Sequence, residues 1–131
     1  PSKAILDLAE KNSRVVVTGF LDDPYPILAG ALASIAPIRL GGGIQNKVLE
    51  SLAVGARVMV SRKVALSLPL IDTSGVIVCD TSSEWVEKIT ELSREVDGTL
   101  SKGSLGPQYI LDNFTWQAYS KVILDSLSSK I

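Results

Sequence analysis

Three consecutive glycines, Gly41, Gly42 and Gly43, lie directly before a helical pattern at residues 44–54. Glycine adopts backbone conformations that are closed to other residues, and it lets a ligand approach the main chain. The apparent N-cap of the helix is Gly43 rather than Ser, Thr, Asp or Asn, so the first helical amides lack a side-chain acceptor. Because such amides at the positive end of a helix dipole favour anions, these residues predict an anion site.

Two charged residues on this helix, Lys47 and Glu50, are three positions apart and therefore neighbours on its surface. A cation near a helix start opposes the dipole by up to ~1 kcal/mol, and a bound phosphate would compensate it. Glu50, one turn later, could accept both hydroxyls of a ribose. The alternative is an ordinary exposed ion pair, worth about 0.3 kcal/mol, beside glycines that only form a tight turn.

A helical wheel divides residues 44–54 into an apolar arc and a polar arc. The apolar arc contains Ile44, Val48, Leu49, Leu52 and Ala53. The polar arc contains Asn46, Lys47, Glu50 and Ser51. We therefore expect the second set to face away from the protein core.

The chain contains no histidine. It therefore cannot form a Ser-His-Asp triad, a Cys-His pair or a metal site that includes histidine. The glycine stretch "GGGIQNK" has neither the G-x-G-x-x-G nor the G-x-x-x-x-G-K-[ST] spacing of the common nucleotide-binding loops. Any activity would thus depend on binding, charge and positioning, or on a base from elsewhere, so we assign no catalytic residue and expect no metal.

The composition is typical of one soluble globular domain, with 131 residues, 46% apolar residues, 21% charged residues and a formal net charge of −1. The near-neutral charge and the lack of a basic run argue against nucleic-acid binding. No apolar run approaches the roughly 20 residues of a membrane span. The single cysteine, Cys79 in "VIVCD", is expected to be a buried apolar residue, and a reducing compartment, the cytoplasm, is predicted.

Strand and helix patterns alternate along the chain. Apolar runs predict four strands, at 14–20, 33–38, 56–61 and 75–80. Helices are predicted at 3–11, within 22–32, at 44–54, at 82–96, at 108–114 and at 115–127, with a loop at 97–107. Because every strand is apolar on both faces, the pattern indicates an α/β fold, a doubly wound parallel sheet of about four strands with helices on both faces.

Two of these helices carry more detailed expectations. Ser82 or Ser83 is predicted to cap the helix at 82–96, whose inward residues would be Trp85, Ile89 and Leu92. Thr115 is the predicted N-cap of the last helix. Its predicted buried face consists of Tyr119, Val122, Ile123 and Leu127.

Residues 15–61 resemble the nucleotide-sugar-binding half of the family 4 (group 1) glycosyltransferases with the GT-B fold. The likeness is carried by "TGF.DD", "APIRLGGGIQNKVLE" and "G.RV.VS", and "NFTWQAYSKVILDSL" looks like the closing helix of the family. Members transfer a sugar from a nucleotide diphosphate donor to an acceptor, and their donor lies mainly on the C-terminal of two Rossmann-like domains. The resemblance implies that residues 1–131 are one such donor-binding domain of an enzyme.

The resemblance also implies roles for particular residues. The loop from Gly41 to Gln45 and the helix start would face the diphosphate or the sugar. Glu50 matches the second glutamate of the E-x7-E motif, which holds the ribose hydroxyls, and Thr18 to Leu21 match a segment near the base. The substrate-binding set is then Thr18, Gly19, Arg39, Gly41, Gly42, Gly43, Ile44, Gln45, Lys47 and Glu50.

The sequence departs from the family pattern in two respects. The first glutamate of E-x7-E is replaced by Gly42, so the sugar would meet backbone amides where many relatives offer a carboxylate. The first strand of the domain, followed in the family by an Arg and a Lys that clamp the diphosphate, is missing, as is the acceptor-binding N-terminal domain. Since strand 1 lies between two others in the common doubly wound orders, we expect an uncovered strand edge and self-association through it.

Three functions remain in competition. The first is the donor-binding domain of a glycosyltransferase, whose partners would be a nucleotide-sugar donor and, through the missing domain, a saccharide or lipid-linked acceptor. The second is a sugar-nucleotide epimerase with the GT-B fold, and the third is a non-catalytic α/β nucleotide-binding module. No cofactor and no nucleic acid is expected in any of them, and the full-length protein would be cytoplasmic or peripheral at the inner face of the membrane.

Overall fold

A three-stranded parallel sheet forms the centre of the computed structural model, which describes residues 1–41, 43–69, 75–95 and 105–128. The strands lie in the order β1-β2-β3. Their bounds are Ser34–Ala36 for β1, Val58–Val60 for β2 and Ile77–Val78 for β3. Ser34 of β1 is in register with Val58, and Met59 of β2 is in register with Ile77.

Seven helices accompany the sheet in the part of the chain that the structure describes. They are α1 Lys3–Lys11, α2 Tyr25–Gly30, α3 Asn46–Ala53, α4 Arg62–Ala65, α5 Ser82–Arg94, α6 Gly106–Asn113 and α7 Trp116–Ser128. None of these described helices combines the length and the apolar character that a membrane span requires.

The sheet is covered on both faces, as the doubly wound prediction requires. Because side chains alternate along a strand, Val58 and Val60 point to one face and Met59 to the other. The first face packs with α3, α4 and α6 in a core built from Ala36, Val48, Leu52, Val58, Val60, Val64, Ala65, Leu68 and Tyr109. The second face packs with α5 around Met59, Cys79 and Leu92. The α/β class, the parallel sheet and the burial of Cys79 are confirmed.

Helices α3 and α6 approach each other closely at Gly106. A Cβ atom added to Gly106 would lie 2.7 Å from the carbonyl oxygen of Leu52 and 3.2 Å from its Cα. Since real Cβ atoms do not approach a backbone oxygen so closely, only glycine fits at this crossing without a shift of one helix. The close crossing lets α6 cover the inner face of α3, and Leu52 is 1% exposed as a result.

The strand predicted at 14–20 is wrong, and the sheet has three described strands rather than four. Residues 15–20 join no ladder, and Val16 and Phe20 are 77% and 90% exposed. Strand propensity measures how well a residue fits a pleated, half-buried surface. No described strand lies beside this run, so its β-branched residues have no such surface to fit. The other three strands are confirmed, each shorter than predicted.

Helix α3 begins at Asn46, within two residues of the predicted start at Ile44. Its N-cap is Gln45, not Gly43 as predicted. An N-cap residue needs an extended backbone, which Gln45 has at φ −93° and ψ 108°, whereas Gly43 has φ 77°. Ser51 is also not on the exposed arc: it is completely buried, and its Oγ lies 2.9 Å from Ser34 Oγ on β1.

The cap predicted for α5, Ser82 or Ser83, is one or two residues too late. Thr81 is the N-cap, and its side chain accepts from the Glu84 amide at 3.2 Å. Glu84 completes a capping box, and a glutamate at the third helical position exists only for this choice of cap. Leu92 is buried and Trp85 packs beside it, as predicted, but Ile89 is 38% exposed. The predicted loop at 97–107 lies largely outside the described residues.

No residue of the last helix, α7, is buried, and all of its residues except the half-buried Ala118 are exposed. Thr115 accepts from the Ala118 amide at 3.2 Å, which confirms the predicted cap. The predicted buried face is wrong, because its residues are 53–68% exposed: Tyr119, Val122, Ile123 and Leu127. An apolar stripe indicates which side of a helix would pack, but among the described elements α7 contacts mainly α6.

Candidate functional site

A cleft of about 570 Å³ opens where the three strands end. It is lined by Pro37, Ile38 and Arg39 after β1, by Ser61 and Lys63 after β2, and by Asp80, Ser82, Trp85 and Val86 after β3. Parallel α/β sheets bind ligands at the carboxyl ends of their strands, and whole small-molecule sites have volumes of about 300–1,000 Å³. The cleft has the position and the size of a ligand-binding site.

A second cavity of about 170 Å³ lies against the glycine loop. Its walls are Ile38, Gly41, Gly43, Gln45, Lys63, Val64, Leu66 and Ser67. Ile38 and Lys63 belong to both cavities, so the two adjoin each other. The smaller cavity is below the size range of a whole ligand site and fits one group of a larger ligand.

The glycine loop has the backbone that the sequence predicts. Gly41 and Gly43 have φ values of 112° and 77°, which side chains with a Cβ rarely adopt. Apart from the chain neighbours, no atom of the described residues lies within 4 Å of a Cβ built at either position, so Gly41 and Gly43 are not packed beneath another described element. The N-cap Gln45 makes no side-chain capping hydrogen bond. The helix therefore starts without a side-chain acceptor, as predicted, beside an open cavity.

Ser61 fixes the exit of β1 to the exit of β2. Its buried hydroxyl donates to the carbonyl oxygen of Ile38 at 2.5 Å and accepts from the Val64 amide at 3.4 Å. The same side chain thus caps α4 and holds the main chain just before Arg39. A hydrogen bond of this kind contributes about 1 kcal/mol, and here it sets the geometry of the cleft wall.

Asp80 fixes the exit of β3 to α4. One carboxylate oxygen accepts from the Arg62 amide at 3.1 Å, and the other lies 2.5 Å from Arg62 Nε. The Asp80 amide donates to Glu84 at 2.7 Å. This bond and a second one from the Thr81 amide are the main cause of the lowered pKa of the Glu84 carboxyl. These bonds hold the acidic wall of the cleft in place at neutral pH.

Two cations, Arg39 and Lys63, line the cleft, and neither forms an ion pair within the described ranges. On the opposite wall, Trp85 presents an aromatic surface and Asp80 a carboxylate that Arg62 already neutralises. The β1 and β2 side of the cleft is therefore positively charged. Such a site can hold an anionic group on that side and an aromatic or sugar ring against Trp85.

The structure brings together four of the predicted substrate-binding residues. Arg39 lines the larger cleft, and Gly41, Gly43 and Gln45 line the smaller cavity. Gly42 lies outside the described residues. The remaining predicted residues line neither cavity: Thr18, Gly19, Ile44, Lys47 and Glu50.

Lys47 and Glu50 lie exposed on α3. The alternative that they form an ordinary ion pair is wrong, because neither side chain is in an ion pair with a described residue. Thr18 and Gly19 are exposed as well, and Thr18 Oγ1 lies 3.3 Å from the Gly19 carbonyl oxygen. A ligand at the start of α3 would reach Lys47 and Glu50 from outside the two cavities.

Sequence reasoning missed Ser61, Lys63, Asp80 and Trp85 as cleft residues. The signal was present, because Ser61 and Asp80 end predicted strands, Lys63 follows one by two residues, and parallel strands end at one edge of the sheet. Trp85 was predicted only as a core residue of α5. No described group of three or more His, Cys, Asp or Glu side chains is placed to hold a metal ion.

A parallel sheet with helices on both faces and a ligand-sized cleft at its carboxyl edge is typical of a Rossmann-like domain. Residues 1–95 match the family model of the group 1 glycosyl transferases. The match covers more than half of the 131 residues, and the chain belongs to this family of glycosyl-transferring enzymes. Comparison with curated proteins and with solved structures gives no match.

Proposed function

We propose that this chain is the donor-binding domain of a glycosyltransferase that takes a sugar from a nucleotide diphosphate sugar. The observation that carries the proposal is the open glycine loop, which lines a cavity at the end of β1 and leads into the uncapped start of α3. Arg39 supplies a cation a few residues before the loop. Backbone amides and a guanidinium suit the oxygens of a diphosphate.

The exposed face of α3 extends this site towards the nucleoside. Lys47 is available to the diphosphate, and Glu50, one turn further on, is available to the ribose hydroxyls. Thr18 and Gly19 lie in an exposed segment that would meet the base, and the sugar would lie against the glycine loop. The acceptor, a saccharide or a lipid-linked saccharide, would bind to another domain of the full-length protein.

Binding of the donor can be measured directly. Thermal shift of the full-length protein with UDP, GDP, ADP and their sugars should identify one preferred nucleotide. Binding of none of them would overturn the proposal, and binding of free nucleosides as well as of diphosphates would contradict the role of the glycine loop.

Glu50→Gln should weaken binding of the preferred donor by about 1–3 kcal/mol, because a charged acceptor for the ribose hydroxyls is lost. Titration calorimetry with the donor would measure this change. Glu10→Gln is a matched control, since Glu10 is an exposed carboxylate on α1, and it should leave affinity unchanged. If both variants bind the donor as the wild type does, Glu50 does not contact the ribose.

We also propose that residues 1–131, produced alone, self-associate through β1. No described strand pairs with the outer edge of β1, where Ile35 is 51% exposed, and the β-branched run at 15–17, earlier in the chain, joins no described strand either. Open edges of this kind pair with other chains. Sedimentation at micromolar concentration should show oligomers, and Ile35→Lys should reduce them because a charge on an edge strand disfavours pairing. A wild-type monomer would contradict the proposal.

A further inference from the structure

We propose that Lys63 forms an anion subsite at the junction of the two cavities, where it holds an anionic group of the bound donor. The inference rests on the proposed donor-binding function and deepens it. It adds Lys63 to the cations of the proposed site. Lys63 lies 16 positions after Lys47, outside the glycine stretch from which the other residues were predicted.

Two adjacent cations, Arg62 and Lys63, differ in whether an acidic side chain pairs with them. Arg62 is neutralised by Asp80, which lies 2.5 Å from its Nε and also accepts from its amide at 3.1 Å. Lys63 forms no ion pair with any residue in the described ranges. The nearby acid is therefore already bound to Arg62, and the charge of Lys63 is left for a ligand.

The main chain of Lys63 is held in place by its neighbours. Ser61 caps α4 through the Val64 amide and is itself bonded to the Ile38 carbonyl oxygen. The two residues after Lys63, Val64 and Ala65, are buried in the core. Because α4 is anchored at both ends, the lysine stem starts from a fixed point on the cleft wall, and only the side chain must be ordered on binding.

The cavity walls around Lys63 favour an anionic group. The described lining of the smaller cavity contains no acidic side chain, and it offers the Gln45 amide and the main chain of Gly41 and Gly43 as well as Lys63. In the larger cleft, Lys63 is joined by Arg39. Both cavities are thus cationic where they meet, and a hydrated ammonium there binds compact oxyanions well.

Two groups of a donor have this chemistry. One is the second phosphate of the nucleotide diphosphate, and the other is the carboxylate of a uronic acid as the transferred sugar. The smaller cavity, at about 170 Å³, has room for one such group with its ring or ester but not for a whole nucleotide sugar. The shared feature is an oxyanion at the junction, and ligands that differ by one anionic group can separate the two sources.

The experiment compares wild type, Lys63→Gln and Lys63→Arg by titration calorimetry on the full-length protein. The base is first chosen by thermal shift from UDP, GDP and ADP. The ligands are then the nucleoside monophosphate, the nucleoside diphosphate, the diphosphate glucose and the diphosphate glucuronate of that base. Lys121→Gln on the exposed helix α7 removes the same charge away from both cavities and serves as the control.

We expect Lys63→Gln to weaken the diphosphate and both sugar conjugates about tenfold while leaving the monophosphate within twofold. A loss confined to the glucuronate would instead place the sugar carboxylate at Lys63, and this also supports the subsite. Lys63→Arg should retain most of the affinity, and Lys121→Gln all of it. An equal loss for every ligand, or no loss while the wild type binds the donor, would overturn the subsite alone. Failure of the wild type to bind any of the nucleotides would overturn the proposed function and the subsite together.

Discussion

Gly106→Ala should destabilise the domain by about 3 kcal/mol, the upper end of the range for an added group in a packed core. The new methyl group would lie 2.7 Å from the Leu52 carbonyl oxygen and 3.2 Å from the Leu52 Cα. Both atoms are main chain of α3, so no rotamer change can relieve the contact, and the two helices must separate. The higher helix propensity of alanine offsets at most about 1 kcal/mol. Urea unfolding of the wild type and the variant would measure the difference.

Gly30→Ala is the control for this prediction. Gly30 ends α2, and no atom lies within 4 Å of a Cβ built on it. Alanine there should be neutral or should stabilise the domain by up to about 1 kcal/mol, because it restricts the unfolded chain. If Gly106→Ala behaves like Gly30→Ala, the α3–α6 crossing is looser than the structure has it.

The sequence predicts the elements of this fold better than it predicts their surroundings. Apolar runs locate β1, β2 and β3, because strands buried on both faces are apolar throughout. The 3.6-residue period locates α3 and α5, because each of these helices has one buried face. The same logic failed at residues 15–20, where the apolar run has no described strand beside it. It failed again along α7, whose apolar stripe is exposed.

The wheel of α3 shows a second kind of limit. It assigns Ser51 to the polar arc by residue type, yet Ser51 is completely buried against Ser34 of β1. A serine can be buried when its hydroxyl finds a partner, and here the Lys47 carbonyl oxygen lies 2.7 Å away. Lys47 belongs to the same helix, whereas Ser34, the other partner of Ser51, lies 17 positions earlier on β1. Residue type alone cannot signal such a contact.

The candidate site was predicted where it is local in sequence. The glycine loop and Arg39 form a contiguous stretch, and the role proposed for them rests on backbone freedom and charge. Lys63 and Asp80 come from other strand ends. Whether Lys63 is paired depends on which of the two adjacent cations, Arg62 or Lys63, reaches the Asp80 carboxylate. Only the packed arrangement of the strand ends decides that, so no spacing rule could have separated Arg62 from Lys63.

Leu52→Ala should have the largest effect on stability, about 2–5 kcal/mol, because a large core side chain is lost and a cavity remains. Leu52 is 1% exposed and lies between the sheet and α6 in the main core. It also anchors α3, the helix that carries Lys47 and Glu50 of the proposed donor site. The loss is a large share of the roughly 5–15 kcal/mol that keeps a domain folded, so urea unfolding should show a lower midpoint, and donor affinity should fall wherever the helix frays.

Leu111→Ala makes the same chemical change on α6 at a side chain that is 59% exposed, and it should cost less than about 1 kcal/mol.

The double variant Leu52→Ala with Gly106→Ala tests the crossing of α3 and α6 further. Removing the leucine side chain leaves its carbonyl oxygen 2.7 Å from the methyl group of Ala at position 106. The Cβ would also lie 3.2 Å from Leu52 Cδ2, a contact that Leu52→Ala removes. The double variant should therefore be less stable than either single one, but by less than the sum of the two losses. A double variant as stable as Leu52→Ala would mean that the leucine side chain, not the main chain of α3, sets the distance between the two helices.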